Sequence, residues 1–405
     1  MKNNIAILFF LFVSSLLRGQ SLESYIQEAE ANNPEVQAFE VRYDISKEKV
    51  EEADALPNME LSAGLFVSEP ETRTGAQKAR FSVKQMLPWF GTITARENYA
   101  SSLADADFLD IAITKRKLRL AVSQSYYKLY TIKQKQGILE ENIQLLKTYE
   151  ILALTSLEVG KASTVDVLRL QIRQNELQEQ REVLTHAFLS ERSAFNHLLN
   201  RDEGLEIEMS DSLFIDDDFE HEAMELGLHP ELEKYDRLYE SVTKSEILNQ
   251  MDANPSLGFG LDYIPVAERA GMNFSDNGKD ILMPMVSLSI PVFNNKFRSL
   301  SAQNELRKEE INAQKANRRN RLETILADAI NNREAEKIKY NTQLKNMQRA
   351  KDAEEILIKN YETGTMDFND VLDIQELQLR FQMNGVEALE KYFMQMAIIN
   401  YLTNN

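Results

Sequence analysis

The chain has no cysteine, and its 405 residues include only 14 glycines, 9 prolines and one tryptophan. Without cysteine there is no disulfide framework and no thiolate metal site, and no lipid can be attached through an N-terminal cysteine. Few glycines and prolines mean little turn punctuation, so long uninterrupted elements are expected. Basic charge is also short. Lys and Arg number 46 against 64 Asp and Glu, for a formal net charge of −18. Phosphate binding needs clustered Lys and Arg, so nucleic acid is not an expected partner. No P-loop, G-x-S-x-G or H-E-x-x-H stands in the chain, and no enzyme is expected. Of the four histidines, His186 and His197 share a helix face but lack i,i+4 ligand spacing, and His221 and His229 lie apart. Met283, Met285, Met394 and Met396 read as apolar filling rather than as copper(I) ligands. Neither a metal site nor a cofactor is expected.

What is present starts with a leader. Lys2 supplies a positive charge, and Ile5 to Leu17 (IAILFFLFVSSLL) is mostly apolar. That run is shorter than the ~20 residues of a membrane helix and suits a signal-peptide core. Residues 1–20 are expected to be removed, with cleavage near Gly19–Gln20, so the mature protein is exported. No later run is long and apolar enough for a transmembrane helix.

The rest is written twice. LEVGKASTVDVLRLQ (Leu157 to Gln171) returns as YETGTMDFNDVLDIQ (Tyr361 to Gln375), with six of fifteen positions identical. Pro34, Pro57, Pro88 and Gly160 recur in order as Pro230, Pro255, Pro291 and Gly364, each about 200 residues later. Each copy reads helix, strand, strand, very long helix, glycine break, helix. The first repeat spans 21–200, with strands about 58–67 and 79–87, a long helix about 92–159, a turn at 160–163 and a helix over 164–200. An acidic connector, 201–221, follows. The second repeat spans 222–405, with strands about 255–263 and 283–291, a long helix about 295–363, a turn at 364–367 and a helix over 368–403. The leading helices are expected over Leu22 to Ala53 and Glu222 to Asp252.

The long helices carry a heptad seam. Leu118, Val122, Ser125, Leu129, Ile132, Gln136, Leu139, Ile143 and Leu146 alternate steps of four and three, as in a coiled coil. At 1.5 Å per residue each would be roughly 100 Å long. The shorter helices, laid end to end, match that length.

The strands alternate with period two. Met59, Leu61, Ala63, Leu65 and Val67 interleave with Glu60, Ser62, Gly64 and Phe66; Phe81 and Val83 with Arg80, Ser82 and Lys84. Leu257, Phe259, Leu261 and Tyr263 interleave with Ser256, Gly258, Gly260 and Asp262; Val286, Leu288 and Ile290 with Ser287 and Ser289. Segments of about 8–10 residues with one apolar face suit a membrane-spanning strand. Four strands cannot close a barrel, and an open edge cannot sit in lipid. A membrane reading therefore requires several copies, and three would give twelve strands. The loops Ser68 to Lys78 and Pro265 to Lys279 would face outside. Trp89, Phe90, Phe293 and Phe297 fall at the strand–helix junctions, where aromatic side chains favour the membrane interface.

Two hairpins, each followed by a very long helix, with proline at the junctions and G…DVL at the far turns, resemble the TolC-type outer-membrane efflux proteins. The phrases QMLPWFG and YETGTMDFNDVLDIQ resemble that family's junction and tip segments. The resemblance covers the mature chain and implies a mainly α fold with a membrane β-barrel contribution. It implies a homotrimer with a 12-stranded barrel in outer-membrane lipid and an α-helical barrel in the periplasm. It further implies a passive duct that meets a periplasmic adaptor protein and an inner-membrane pump. The alternative is a secreted or periplasmic coiled-coil scaffold, which accounts for the helices but not for alternating strands in matched places.

On this resemblance the repeated phrase is the periplasmic tip. Gly160 and Gly364 suit left-handed turns after the long helices. Ser163 and Asp367 suit N-caps, with Asp166 and Asp370 at the capping-box position. Asp373 lies a turn further in, on the face of Asp370, where the first copy has Arg169. The resemblance makes Asp370 and Asp373 the pore constriction, with Asp166 and Arg169 holding the tip. Val159, Gly160, Lys161, Thr363, Gly364 and Thr365 would meet the adaptor.

Overall fold

The computed structural model describes residues 22–158, 163–209, 213–215, 226, 228–271, 273–293, 295–362 and 368–403. The expected leader, part of the acidic connector and both tip turns, apart from Ser163, lie outside them. The helices are α1 (Leu22–Asn32), α2 (Pro34–Ala53), α3 (Thr92–Glu158), α4 (Thr164–Leu198), α5 (Pro230–Asp252), α6 (Asn295–Glu362) and α7 (Phe368–Thr403). The strands are β1 (Glu60–Leu65), β2 (Glu71–Thr72), β3 (Gly75–Gln77), β4 (Ala79–Leu87), β5 (Ser256–Ile264), β6 (Val266–Ala267) and β7 (Ile281–Ser289). The chain divides into two compact units. One holds Met1–Ala38, Ala112–His229 and Arg319–Asn405; the other holds Phe39–Ile111 and Pro230–Arg318.

Two expectations for the leading helices need correction, both because of proline. The helix read as continuous over Leu22 to Ala53 breaks at Asn33. Pro34 has no N–H to continue α1 but suits the first position of a new helix. Asn33 caps α2 by accepting from the Glu35 amide at 2.9 Å, and its own amide donates to the Leu198 carbonyl at 3.0 Å. The second leading helix was expected from Glu222. It begins at Pro230, again with proline opening the helix, and His229 just before it is non-helical.

In the first unit α3 and α4 run antiparallel. Ser125 donates to Glu191, Gln136 to Thr185 at 3.1 Å, and Gln171 to Glu150 at 2.8 Å, so contacts climb one helix as they descend the other. The heptad seam is the reason. Leu118, Val122, Leu129, Leu139, Ile143 and Leu146 are all buried, as seam positions must be. Two apolar clusters result. One joins Leu139, Leu146, Leu170, Leu177, Phe368 and Val371 of α3, α4 and α7. The other joins Tyr25, Ile26, Val122, Leu129 and Phe195 of α1, α3 and α4.

The second unit holds both sheets. One has four strands in the order β1-β4-β5-β7, every pair antiparallel; the other has three, in the order β2-β3-β6. The three short strands were not expected from the sequence. They lie in the two segments read as loops and tie them together, with Ala76 opposite Ala267 and Gln77 opposite Val266. Segments of two or three residues are too short to show period-two alternation. In the same unit α5 packs on α6. Glu246 accepts from Ser301 at 2.7 Å and Asn304 at 2.9 Å. These neutral donors hold its carboxyl below the usual range against the opposing push of desolvation, the largest single influence on it.

Candidate functional site: the two-faced sheet and the starts of two helices

The register of the large sheet sorts its side chains onto two faces. Leu61 lies opposite Val83, Val83 opposite Leu261, and Leu261 opposite Pro284. Ala63, Phe81, Tyr263 and Leu282 form the next row on the same face. Because strand side chains alternate, most apolar positions of the four strands fall on this face together with Gln85, whereas Met86, Ile264, Ile281, Met283 and Met285 fall on the other. In the isolated chain it is open: Leu65 is 82% exposed, Leu61 74% and Val286 74%. Phe81 and Tyr263 stack on it with ring centroids 6.4 Å apart. A largely apolar, open sheet face of this kind is a surface suited to lipid or protein rather than water. Phe90 and Phe293, at the junctions to α3 and α6, are exposed too.

The opposite face carries Glu60, Ser62, Arg80, Ser82, Lys84, Asp262 and Ser287, as the same pairings require. Arg80 forms an ion pair with the fully buried Asp262. On this face Gly258 and Gly260 leave room above β5. A Cβ on Gly258 would stand 2.2 Å from Ser287 Oγ and 2.5 Å from Met86 Sδ. The sheet is thus largely apolar on one side, with its charged residues on the other among a few apolar ones, and among the described residues its edge strands β1 and β7 have no outer partner.

The tip candidates lie on α4 and α7. Ser163 caps α4: its hydroxyl accepts from the Val165 amide at 3.1 Å, and Asp166 accepts from the Ser163 amide at 3.0 Å, a complete capping box. Asp166 is therefore held by its own backbone. Arg169 donates to Asn369, linking the start of α4 to the start of α7. One turn on, Arg173 stands 3.9 Å from Glu376. Asp373 falls between Asn369 and Glu376 at helical spacing, so it shares the α7 face that meets these two arginines. Asp370 and Asp373 are both exposed. Val159, Gly160, Lys161, Thr363, Gly364 and Thr365 lie outside the described residues, as does Asp367.

Behind these residues lies a buried polar layer that was not read from the sequence. Gln375 donates to Asn142 at 2.7 Å, and Asn142 donates to Gln382 at 3.0 Å. Tyr149 donates to Glu354, which also accepts from Gln378 at 2.8 Å. The layer joins α3, α6 and α7. Burial, then the hydrogen bond to Glu354, push the Tyr149 hydroxyl pKa upward. Phe368 closes the layer, edge-on to Tyr149 at 6.0 Å and tilted on Tyr361 at 4.9 Å. Its one legible trace is Gln375, Gln378 and Gln382, a polar stripe at helical spacing. Among the described residues no group of three or more His, Cys, Asp or Glu could hold a metal ion, and no helix is long and apolar enough to cross a membrane.

A mostly helical chain that adds one two-faced antiparallel sheet to paired long helices has the fold of the outer-membrane efflux channels. Residues 25–200 match the family described as outer membrane efflux protein. No curated protein matches the chain by sequence. Among solved structures, the outer membrane protein VceC of Vibrio cholerae is 15% identical with a TM-score of 0.74, over 95% of this chain and 96% of that one. The CmeC outer membrane channel of Campylobacter jejuni is 15% identical with a TM-score of 0.73, over 94% and 85% of the two chains. The open state of the MtrE outer membrane channel of Neisseria gonorrhoeae is 14% identical with a TM-score of 0.73, over 95% and 89%. The resemblance to the TolC-type outer-membrane efflux proteins thus stands in sequence over the first repeat and in fold over nearly the whole chain. The proteins it resembles are channels, not enzymes.

Proposed function

We propose that the chain is the outer-membrane exit duct of a tripartite efflux or secretion system. The observation that carries this reading is the large sheet: four strands with one largely apolar face free of charge, an opposite face that holds all the charged residues, and two edges unpaired among the described residues. An unpaired edge is not tolerated in lipid, so the sheet spans the outer membrane only when copies close it. Three copies give a twelve-stranded barrel, an even number within the range of such barrels. Its polar face lines the lumen, and the paired helices extend into the periplasm. The duct is passive. A periplasmic adaptor, coupled to an inner-membrane pump, opens it by splaying the helix pairs at the tip around Gly160 and Gly364.

Asp370 and Asp373 form the constriction in this reading. Six carboxylates around a threefold axis repel one another, so the tip is held shut by other contacts. The Arg169–Asn369 link and the Arg173–Glu376 pair, both between α4 and α7, supply them within each copy. The test is conductance in planar bilayers. Asp370→Asn combined with Asp373→Asn should change both conductance and cation selectivity, and Arg169→Ala should raise conductance by loosening the tip. Unchanged conductance and selectivity in the double variant would remove these two residues from the gate.

A further inference from the structure

In the first unit, α1, α3 and α7 enclose a cavity of about 500 Å³. Its lining is mixed: Leu22, Ile26, Leu120 and Tyr127 stand with Glu23, Arg116 and Arg119. The two arginines differ in one respect. Arg119 is answered by carboxylates: its guanidinium donates to both oxygens of Glu23, at 2.9 and 3.2 Å, and stands 3.7 Å from Glu30. Arg116 is not. It is half-buried, and among the described residues its one hydrogen bond is a long one, 3.4 Å, to the Tyr401 carbonyl. Burial pulls its pKa down from the usual arginine range, and no carboxylate among the described residues offsets this.

An arginine cannot escape its charge by losing a proton. Partly withdrawing a charge from water without an opposite charge beside it costs free energy, in proportion to how much of it is buried. The chain, however, carries 64 Asp and Glu against 46 Lys and Arg, so another copy would present carboxylates over much of its surface. We propose that the Arg116 cavity is completed by a carboxylate from a second copy of this chain, making it an inter-subunit ion-pair site. The inference rests on the reading that the chain assembles with itself.

The sign of one substitution separates the alternatives. Arg116→Met keeps the length and apolar stem but removes the charge. If a neighbouring carboxylate answers Arg116, the variant strands that carboxylate, and the detergent-solubilised trimer should dissociate several degrees below the wild type. If Arg116 remains unanswered in the assembly, removing it relieves a cost. The trimer would then be as stable as the wild type or more so, and the proposal would fall. A second variant, Arg116→Lys, puts an amine at the site. Treatment with a carbodiimide, which condenses an amine with a carboxylate, should link two chains through residue 116, as read by mass spectrometry of mixed isotopically light and heavy copies. A link confined to one chain, or none, counts against the site. So does a wild-type melting temperature that climbs with sodium acetate while Arg116→Met is indifferent, since a free carboxylate would then be the occupant. A wild-type monomer would sink this proposal and the self-assembly reading together. A wild-type trimer with indifferent variants would sink this proposal alone.

Discussion

Tyr149 shows how one side chain sets the pH range over which the buried layer between α3, α6 and α7 holds. It is buried between α3, α6 and α7 and donates to Glu354. Burial first, and the neighbouring carboxylate second, raise its pKa above the ordinary tyrosine value of 10. Tyr127, further along α3, is pushed up to about 12, chiefly by burial. A pKa raised in the folded state means that the neutral form is the one the fold stabilises. That stability is complete below the unfolded value near 10 and is lost as the pH climbs through the folded values. The midpoint of thermal unfolding should therefore fall above about pH 10, with late-ionising tyrosines visible in the ultraviolet absorbance. Tyr149→Phe should cost about 1 kcal/mol at neutral pH and make the alkaline decline shallower. An unchanged decline would place its cause in other tyrosines. The Asp166 cap could be read in advance because a capping box is a local pattern, Ser-x-x-Asp, written within one turn. The Tyr149–Glu354–Gln378 link could not, because its three members come from three helices and no spacing within one helix reveals it.

At the scale of elements, what was legible followed the period of the pattern. The α3 seam and the four long strands repeat over many residues, so the buried seam and the strands' apolar face could be named from sequence. The three short strands β2, β3 and β6 repeat nothing and emerge only from the pairing of two distant segments. They are nevertheless firmly tied. Arg269 donates to the Thr72 carbonyl at 2.5 Å and pairs with Glu71 at 2.6 Å. The Gly278 amide donates to the Thr74 carbonyl at 2.7 Å, and Arg73 pairs with Asp276 at 2.8 Å. Gly75 is the tightest point. Its φ is +136°, and a Cβ there would stand 1.8 Å from the Ala267 carbonyl oxygen. No side chain can occupy that space without separating β3 from β6, and the backbone conformation itself favours glycine. Gly75→Ala should therefore open the small sheet while leaving the large one intact. The measurement is proteolysis of intact cells. Cleavage within residues 68–78 or 265–279 should appear in the variant and not in the wild type. Equal resistance would show that the two segments stay joined without the β3–β6 pairing.

For the whole molecule the decisive feature is what a single copy leaves unfinished. Pro284 sits in β7 opposite Leu261. A proline is tolerated in a ladder only where no donor is needed, so its nitrogen faces the outer edge of the sheet. That edge therefore lacks one donor and is a poor template for indiscriminate pairing. The edge strand β1 has no proline, and its full set of donors and acceptors awaits a partner. A barrel that joins β7 of one copy to β1 of the next answers both edges and turns the apolar face toward lipid on every side. Two measurements follow. Wild-type protein should leave the membrane fraction only with detergent, and light scattering corrected for bound detergent should count three chains per particle. Val286→Lys places a charge on the apolar face, at a cost of about 2–4 kcal/mol if the site lies at the bilayer midplane. It should lower the yield of assembled trimer, whereas Ser287→Lys, one residue along on the polar face, should assemble far better. A water-soluble monomer, or equal assembly of the two lysine variants, would contradict the orientation of the sheet and the duct built on it.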